Sequence, residues 1–167
     1  MLNLYSMHLR PFTVNDSQGI LNIYSKYVEQ TAISFEYETP DIAEFESRLR
    51  LISNTYPFLV AEGNNKILGY AYANRFRGRK AYDFIVESSV YVSKDAKQKG
   101  IGTALYSLLF NELKEKTIKE VVGVVTLPNN ASCKFHERLG FKDAGTIKRA
   151  GFKFEKWWDI RFYQKSI

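Results

Sequence analysis

Apolar residues recur along this chain with two different periods, and the switches between them mark its elements. From Met7 to Phe12 the pattern predicts a first strand that ends at Pro11. Thr13-Val14-Asn15-Asp16 carries a helix-capping signal, and Ile20, Leu21, Tyr24 and Val28 then follow at helical spacing. A second helix is expected from Thr39-Pro40, with proline at the first position, and Ile42, Phe45, Leu49 and Ile52 mark its apolar face. Pro57–Glu62, the turn Gly63-Asn64-Asn65 and Lys66–Ala73 read as a hairpin. A polar, arginine-rich loop runs from Arg75 to Lys80, before a strand over Phe84–Val92.

The second half alternates strand and helix. A helix carries Leu105, Leu108, Leu109 and Leu113 on one side, and Glu120–Leu127 reads as a buried strand. A short helix is expected over about Asn130–Leu139, stopped by Gly140, and two more strands fill Phe141 to the C-terminus, with Gly145 and Gly151 as breaks. There is no repeat, low-complexity stretch or linker, so one domain spanning 1–167 is expected. Hairpins early and a strand–helix–strand–helix run later predict an α+β fold with a mixed, mostly antiparallel sheet of about seven strands and about four helices, not a doubly wound α/β fold.

Composition narrows this little. The 167 residues are 45% hydrophobic and 25% charged, as in ordinary globular domains, and 15% aromatic. The net charge of +6 suits an anionic partner, but Lys and Arg are scattered, which gives a basic nucleic-acid-binding module little support. The single cysteine, Cys133, precludes an intrachain disulfide, and the two histidines, His8 and His136, have no metal-ligand spacing, so no metal is expected. The N-terminal sequence lacks a signal-peptide pattern and no apolar run would span a bilayer, so a cytoplasmic location with no membrane partner is expected.

The most informative run is Val90–Leu105, VYVSKDAKQKGIGTAL, in which a strand enters a lysine-rich turn, then Gly100-Ile101-Gly102, then a helix. Such a loop leaves backbone N–H groups unpaired at the positive end of the helix dipole, a receptor for phosphate or pyrophosphate. A dinucleotide fingerprint would need glycine where Leu105 stands, and no G-x-x-x-x-G-K-[ST] occurs. A glycine pair at a helix start also serves as a simple tight turn, and the motif alone leaves both readings open.

Lys97-Gln98-Lys99-Gly100-Ile101-Gly102 resembles the pyrophosphate loop of GNAT-type N-acetyltransferases, Q/R-x-x-G-x-G/A, with Lys97 departing from the first position. Asn129–Phe141 resembles that family's later motif, N-x-x-A-x-x-x-Y-x-x-x-GF, with His136 where tyrosine is usual. Within the family the chain is most similar to phosphinothricin N-acetyltransferases and their amino-acid-acetylating relatives. The matching stretches include Arg10-Pro11, Ser34-Phe35-Glu36, Gly69-Tyr70-Ala71, Glu87–Val92 and Ala150-Gly151-Phe152-Lys153.

The resemblance implies the GNAT acyl-CoA N-acyltransferase fold and acetyl-CoA as co-substrate. It also implies transfer to the amine of a small amino-acid-like acceptor, as in resistance to such antimetabolites, and a homodimer. Coenzyme A would be held by Val90, Tyr91, Val92, Lys97, Gln98, Lys99, Gly100, Ile101, Gly102, Thr103, Asn129 and Ser132. Glu87, a carboxylate among Ile85, Val86 and Val90, matches the glutamate taken as general base; by residue pattern alone it also suits an edge strand facing water. His136 stands where the thiolate's proton donor is expected, with Tyr106 as a second candidate and a structural histidine as the plain alternative.

Arg77 and Arg79 fit bidentate recognition of a carboxylate or phosphinate, with Tyr82 beside them, or else form a solvated loop. Phe35, Ser89 and Thr126 match further substrate-side positions. A GNAT enzyme acting on a protein N-terminus or a polyamine is the alternative function, and a Cys133 acyl carrier is the alternative mechanism.

Overall fold

A computed structural model describes residues 7–96 and 100–167. Seven strands form one sheet: β1 His8–Pro11, β2 Phe58–Gly63, β3 Lys66–Arg75, β4 Ile85–Val92, β5 Glu120–Leu127, β6 Lys142–Lys153 and β7 Lys156–Ser166. Four α-helices accompany them: α1 Ser17–Gln30, α2 Ile42–Thr55, α3 Ile101–Glu115 and α4 Asn130–Arg138. The strand order is β1-β2-β3-β4-β5-β7-β6, antiparallel except for the parallel β4–β5 pair. No helix among the described residues is long and apolar enough to cross a membrane.

The expected α+β architecture is therefore present, with differences at the ends of elements. Helix α2 begins at Ile42, not at Pro40, because Asp41 is the N-cap and its side chain accepts from the Glu44 N–H at 2.8 Å. The β2–β3 turn is tight because Asn64 and Asn65 both adopt positive φ, 51° and 57°, as a two-residue hairpin turn requires. The expected breaks at Gly145 and Gly151 are register shifts within the continuous strand β6.

The central strands are apolar on both faces, so the sheet carries a core on each side. On one face Leu105, Leu109 and Leu113 of α3 pack against Leu59, Ala71, Val86, Val121 and Val125. On the other, Ile20 and Ile23 of α1 and Phe45 and Leu49 of α2 cover Phe58, Val60 and Tyr70. Helix α4 lies on the α3 side, with Cys133 and Phe135 against that core.

The first strand and first helix are joined electrostatically. Asp16, only 7% exposed, accepts two 2.7 Å hydrogen bonds from Arg10 and another from the Thr13 N–H. Burial would raise its pKa, but the bonds from Arg10 and Thr13 outweigh it and hold the carboxyl below its ordinary value. A depressed carboxyl stabilises the fold above its unfolded pKa of about 3.9, and that contribution is lost as pH falls through the lower folded value. Asp16→Asn is expected to cost about 2–3 kcal/mol at neutral pH and to flatten the acid limb of a urea-denaturation series below about pH 4.

Candidate active site

Strands β4 and β5 pair only from Ile85↔Glu120 to Ser88↔Gly123, although β4 continues to Val92 and β5 to Leu127. The sheet is thus forked at its centre. Strand backbone groups alternate between edges, and the Phe84 carbonyl accepts from Lys119 and Glu120 at the β5 side. By the same alternation the N–H and C=O of Val90 point into the fork, where no described strand pairs with them.

Three contacts lie at the mouth of the fork on its α3 side. Ser88 Oγ lies 3.1 Å from the Tyr106 hydroxyl and 3.4 Å from the Val122 carbonyl, at the last paired rung. His136 packs against Gly123 by its Nε2–Cδ2 edge, where a methyl group would stand 2.5 Å from Nε2, so only glycine admits the ring. The same ring stacks on Tyr163 at 5.3 Å and meets Phe141 edge-on at 5.1 Å.

The glycine loop opens beside this fork. Gly100 caps α3 in the left-handed region, φ 75°, with no side chain capping the helix and nothing within 4 Å of where its own would be. Among the described residues no side chain accepts from the first-turn N–H groups of Ile101, Gly102 and Thr103, an arrangement that suits an anion. A methyl group at Gly102 would lie 3.3 Å from Phe135 and 3.8 Å from Val90, so the helix start, the free edge of β4 and α4 converge. Asn129 caps α4 through Oδ1, which accepts from Ser132 N–H at 3.1 Å; its amide nitrogen has no hydrogen-bond partner among the described residues. Lys97, Gln98 and Lys99 lie outside the described residues.

The other face of β4 carries a different set. Side chains alternate, so Val86, Val90 and Val92 enter the α3 core while Tyr91 enters the opposite one. Glu87 and Ser89 share that opposite face, where Ser89 stands beside Tyr72 of β3 in register. Glu87 is on the central strand of the sheet, opposite Asn74 of β3 and Val122 of β5, which removes the edge-strand reading. It is half-buried, and burial raises its pKa. Val122 pairs with Glu87, so Thr126, four residues on, points to the same face.

Arg77 and Arg79 are exposed on the loop joining β3 to β4, and neither has an ion-pair partner among the described residues. Phe76 and Tyr82 shape that loop through an edge-on contact at 5.9 Å, with Arg77 over the Phe76 ring. Phe35, 36% exposed, lies on Gly151 of β6, where a methyl group would come within 2.3 Å of its ring.

The sequence-derived residues thus fall into two groups. Val90, Gly100, Ile101, Gly102, Thr103, Asn129 and Ser132 gather on the α3 side of the fork, and Glu87, Ser89 and Thr126 share the other face. Arg77, Arg79 and Tyr82 stand on the loop at the start of β4, and Phe35 on the loop after α1.

His136 is 4% exposed, burial lowers its pKa, and Nδ1 bonds the Ser132 carbonyl at 2.9 Å. With Nδ1 engaged there and Nε2 against Gly123, neither nitrogen is placed to activate Cys133. Tyr106 is 1% exposed, and burial raises its pKa beyond the phenolic range. The C-terminal aromatics divide: Tyr163 is core, Trp158 donates to the Lys153 carbonyl, and Trp157 is exposed beside Phe152.

The sequence assigns no role to Tyr72, Glu36 or Lys153, although Glu36 and Lys153 fall in stretches that carry the resemblance. Tyr72 lies within electrostatic reach of both Glu87 and Glu36.

An acetyltransferase (GNAT) domain model matches residues 9–161. The phosphinothricin N-acetyltransferase of Streptomyces viridochromogenes is 36% identical over 161 residues, covering 96% of this chain and 88% of the relative. The L-methionine sulfoximine/L-methionine sulfone acetyltransferase of Pseudomonas paraeruginosa is 33% identical over 167 residues, covering 97% and 95%. Among solved structures, a phosphinothricin acetyltransferase from Sinorhizobium meliloti in complex with acetyl-CoA superposes with a TM-score of 0.92 at 35% identity, covering 97% of this chain and 89% of that one.

Proposed function

The chain belongs to the GNAT acetyltransferase family, and from that premise we propose that it transfers acetyl from acetyl-CoA to the amine of a small amino-acid-like acceptor of the phosphinothricin, methionine sulfone or methionine sulfoximine type. The observation that carries the reading is Glu87, a half-buried carboxylate with a raised pKa on the face of the fork opposite the glycine loop. The acetyl-CoA-bound relative supports acetyl-CoA as donor.

In this reading the pyrophosphate sits on the N–H groups of Gly100–Thr103, with Lys97 and Lys99 adding positive charge. The pantetheine arm runs along the free edge of β4, bonding Val90 as an added strand would, with Asn129 beyond it. The acceptor lies on the Glu87 face, its anionic end at Arg77 and Arg79 and its body near Phe35, Ser89 and Thr126. Glu87 takes a proton from the ammonium, directly or through a water. The freed amine attacks the thioester carbonyl, forming the C–N bond, and the C–S bond breaks. A backbone N–H of β4 stabilises the oxyanion. As the C–S bond breaks the new amide nitrogen gives up its second proton and the departing thiolate takes one up, with the Tyr106 hydroxyl as its donor, since both His136 nitrogens are occupied. A homodimer is proposed as well, because exposed Ile147, Phe152, Phe154 and Trp157 leave β6, β7 and the turn between them with apolar surface to cover.

Glu87→Gln is expected to lower kcat by about 10²–10⁴. A buried base works only when ionised, so wild-type kcat should fall as pH drops through a pKa above the ordinary value of about 4.3, and the Gln variant should lose that limb. Near wild-type turnover in the variant would remove Glu87 from the role. Thiol release from acetyl-CoA should follow phosphinothricin, methionine sulfone or methionine sulfoximine, and not a polyamine or peptide N-terminus. Replacing Arg77 and Arg79 together by Ala should raise the acceptor KM far more than the acetyl-CoA KM. Equal effects on both, or turnover confined to peptides or polyamines, would overturn the acceptor assignment.

A further inference from the structure

Lys153 occupies an unusual position for a lysine. It closes β6, next to the turn into β7, between exposed Phe152 and Phe154, where sequence alone would put it in solvent. It is instead 2% exposed, and its ammonium donates to three carbonyls: Val28 at 2.6 Å, Thr31 at 2.9 Å and Ser34 at 2.7 Å. Two of these belong to the end of α1 and its C-cap, where the helix leaves carbonyls unsatisfied and a cation is favoured. The third lies in the loop that follows. All three ammonium protons are therefore spent on fixing one short segment.

That segment walls the acceptor face. Ser34 Oγ bonds the Tyr24 hydroxyl at 2.9 Å, Phe35 rests on Gly151, and Glu36 lies within electrostatic reach of Tyr72, as Glu87 does. A second tie runs in parallel, because the Tyr37 hydroxyl donates to the Phe152 carbonyl at 2.6 Å. The end of β6 thus grips residues 31–37 through Gly151, Phe152 and Lys153.

We propose that Lys153 is a positioning residue for the acceptor: it clamps the 31–37 loop to β6 so that Phe35 and Glu36 form a fixed wall opposite Glu87. This rests on the acceptor reading above. A lysine whose role is only structural would weaken the whole fold, whereas a clamp on one wall changes acceptor binding selectively.

The test uses the full chain, with methionine sulfone and acetyl-CoA as substrates, and hydrogen exchange of residues 31–37 as a readout independent of turnover. In Lys153→Met the acceptor KM should rise about 10- to 100-fold, the range for a wall displaced by about an ångström, while the acetyl-CoA KM changes less than about twofold. Exchange should quicken in residues 31–37 and not in α3. Gly151→Ala, which drives Phe35 off its seat, and Tyr37→Phe, which removes the outer tie at an exposed ring, should shift acceptor KM in the same direction; they decide the matter if Lys153→Met does not fold.

Acceptor KM unchanged in a folded Lys153 variant, or in both other variants, would overturn the proposal, and so would a proportional loss in both KM values. If wild type acetylates no amino-acid acceptor, the acceptor reading fails, and unchanged exchange in residues 31–37 would then overturn the clamp separately.

Discussion

Beyond Ser88 and Gly123 the two central strands part, and side chains from α3 and α4 pack over the point where they do. His136 fills the space over Gly123, Tyr106 reaches Ser88 at the last paired rung, and Phe135 closes on Gly102 at the start of α3. Each contact works only because the opposing residue is small. Between the two strands the N–H and C=O of Val90 have no strand partner in the middle of a sheet, where such groups are normally paired, while the Val92 carbonyl accepts from the Tyr27 hydroxyl at 2.7 Å. An exposed outer edge would risk pairing with another chain; a central fork offers the same groups only to something thin enough to enter.

The period of a strand then separates two tasks. Even-numbered residues of β4 face α3 and the core beneath the donor side, and odd-numbered residues face the opposite cleft, where Glu87 and Ser89 lie. One extended segment thus presents backbone to a donor in the fork and a carboxylate to an acceptor on the far face, without either crossing the other. The carboxylate's central location also accounts for its electrostatics. A glutamate on an outer edge would be well hydrated, whereas neighbours on both sides desolvate Glu87 and raise its pKa toward the range where a base is useful.

Much of this was legible from sequence. Apolar periodicity located all seven strands and four helices, and Glu120–Leu127 was read with its observed bounds. The glycine loop and the Asn129–His136 segment were visible because their chemistry is local. What could not be read was non-local. Nothing in Ile85–Ser88 says that it runs parallel to Glu120–Gly123, so the fork was not visible. Thr39-Pro40 resembled a helix start, yet Asp41 captures the first free N–H groups and moves the boundary. Lys153 was missed because a lysine between two aromatic residues beside a turn suggests solvent, and its three carbonyl partners lie more than a hundred residues away. The roles of Arg77 and Arg79 depend on what approaches their loop, which neither pattern nor packing specifies.

The mechanism depends above all on where donor and acceptor meet. A crystal structure of the protein with coenzyme A and methionine sulfone bound would measure it. The expected result is the pantetheine arm in the fork along Val90, with the acceptor amine on the opposite face, about 3 Å from a Glu87 oxygen or one water away. An amine held on the α3 side, or one on the far face served by Glu36 with Glu87 out of reach, would contradict it.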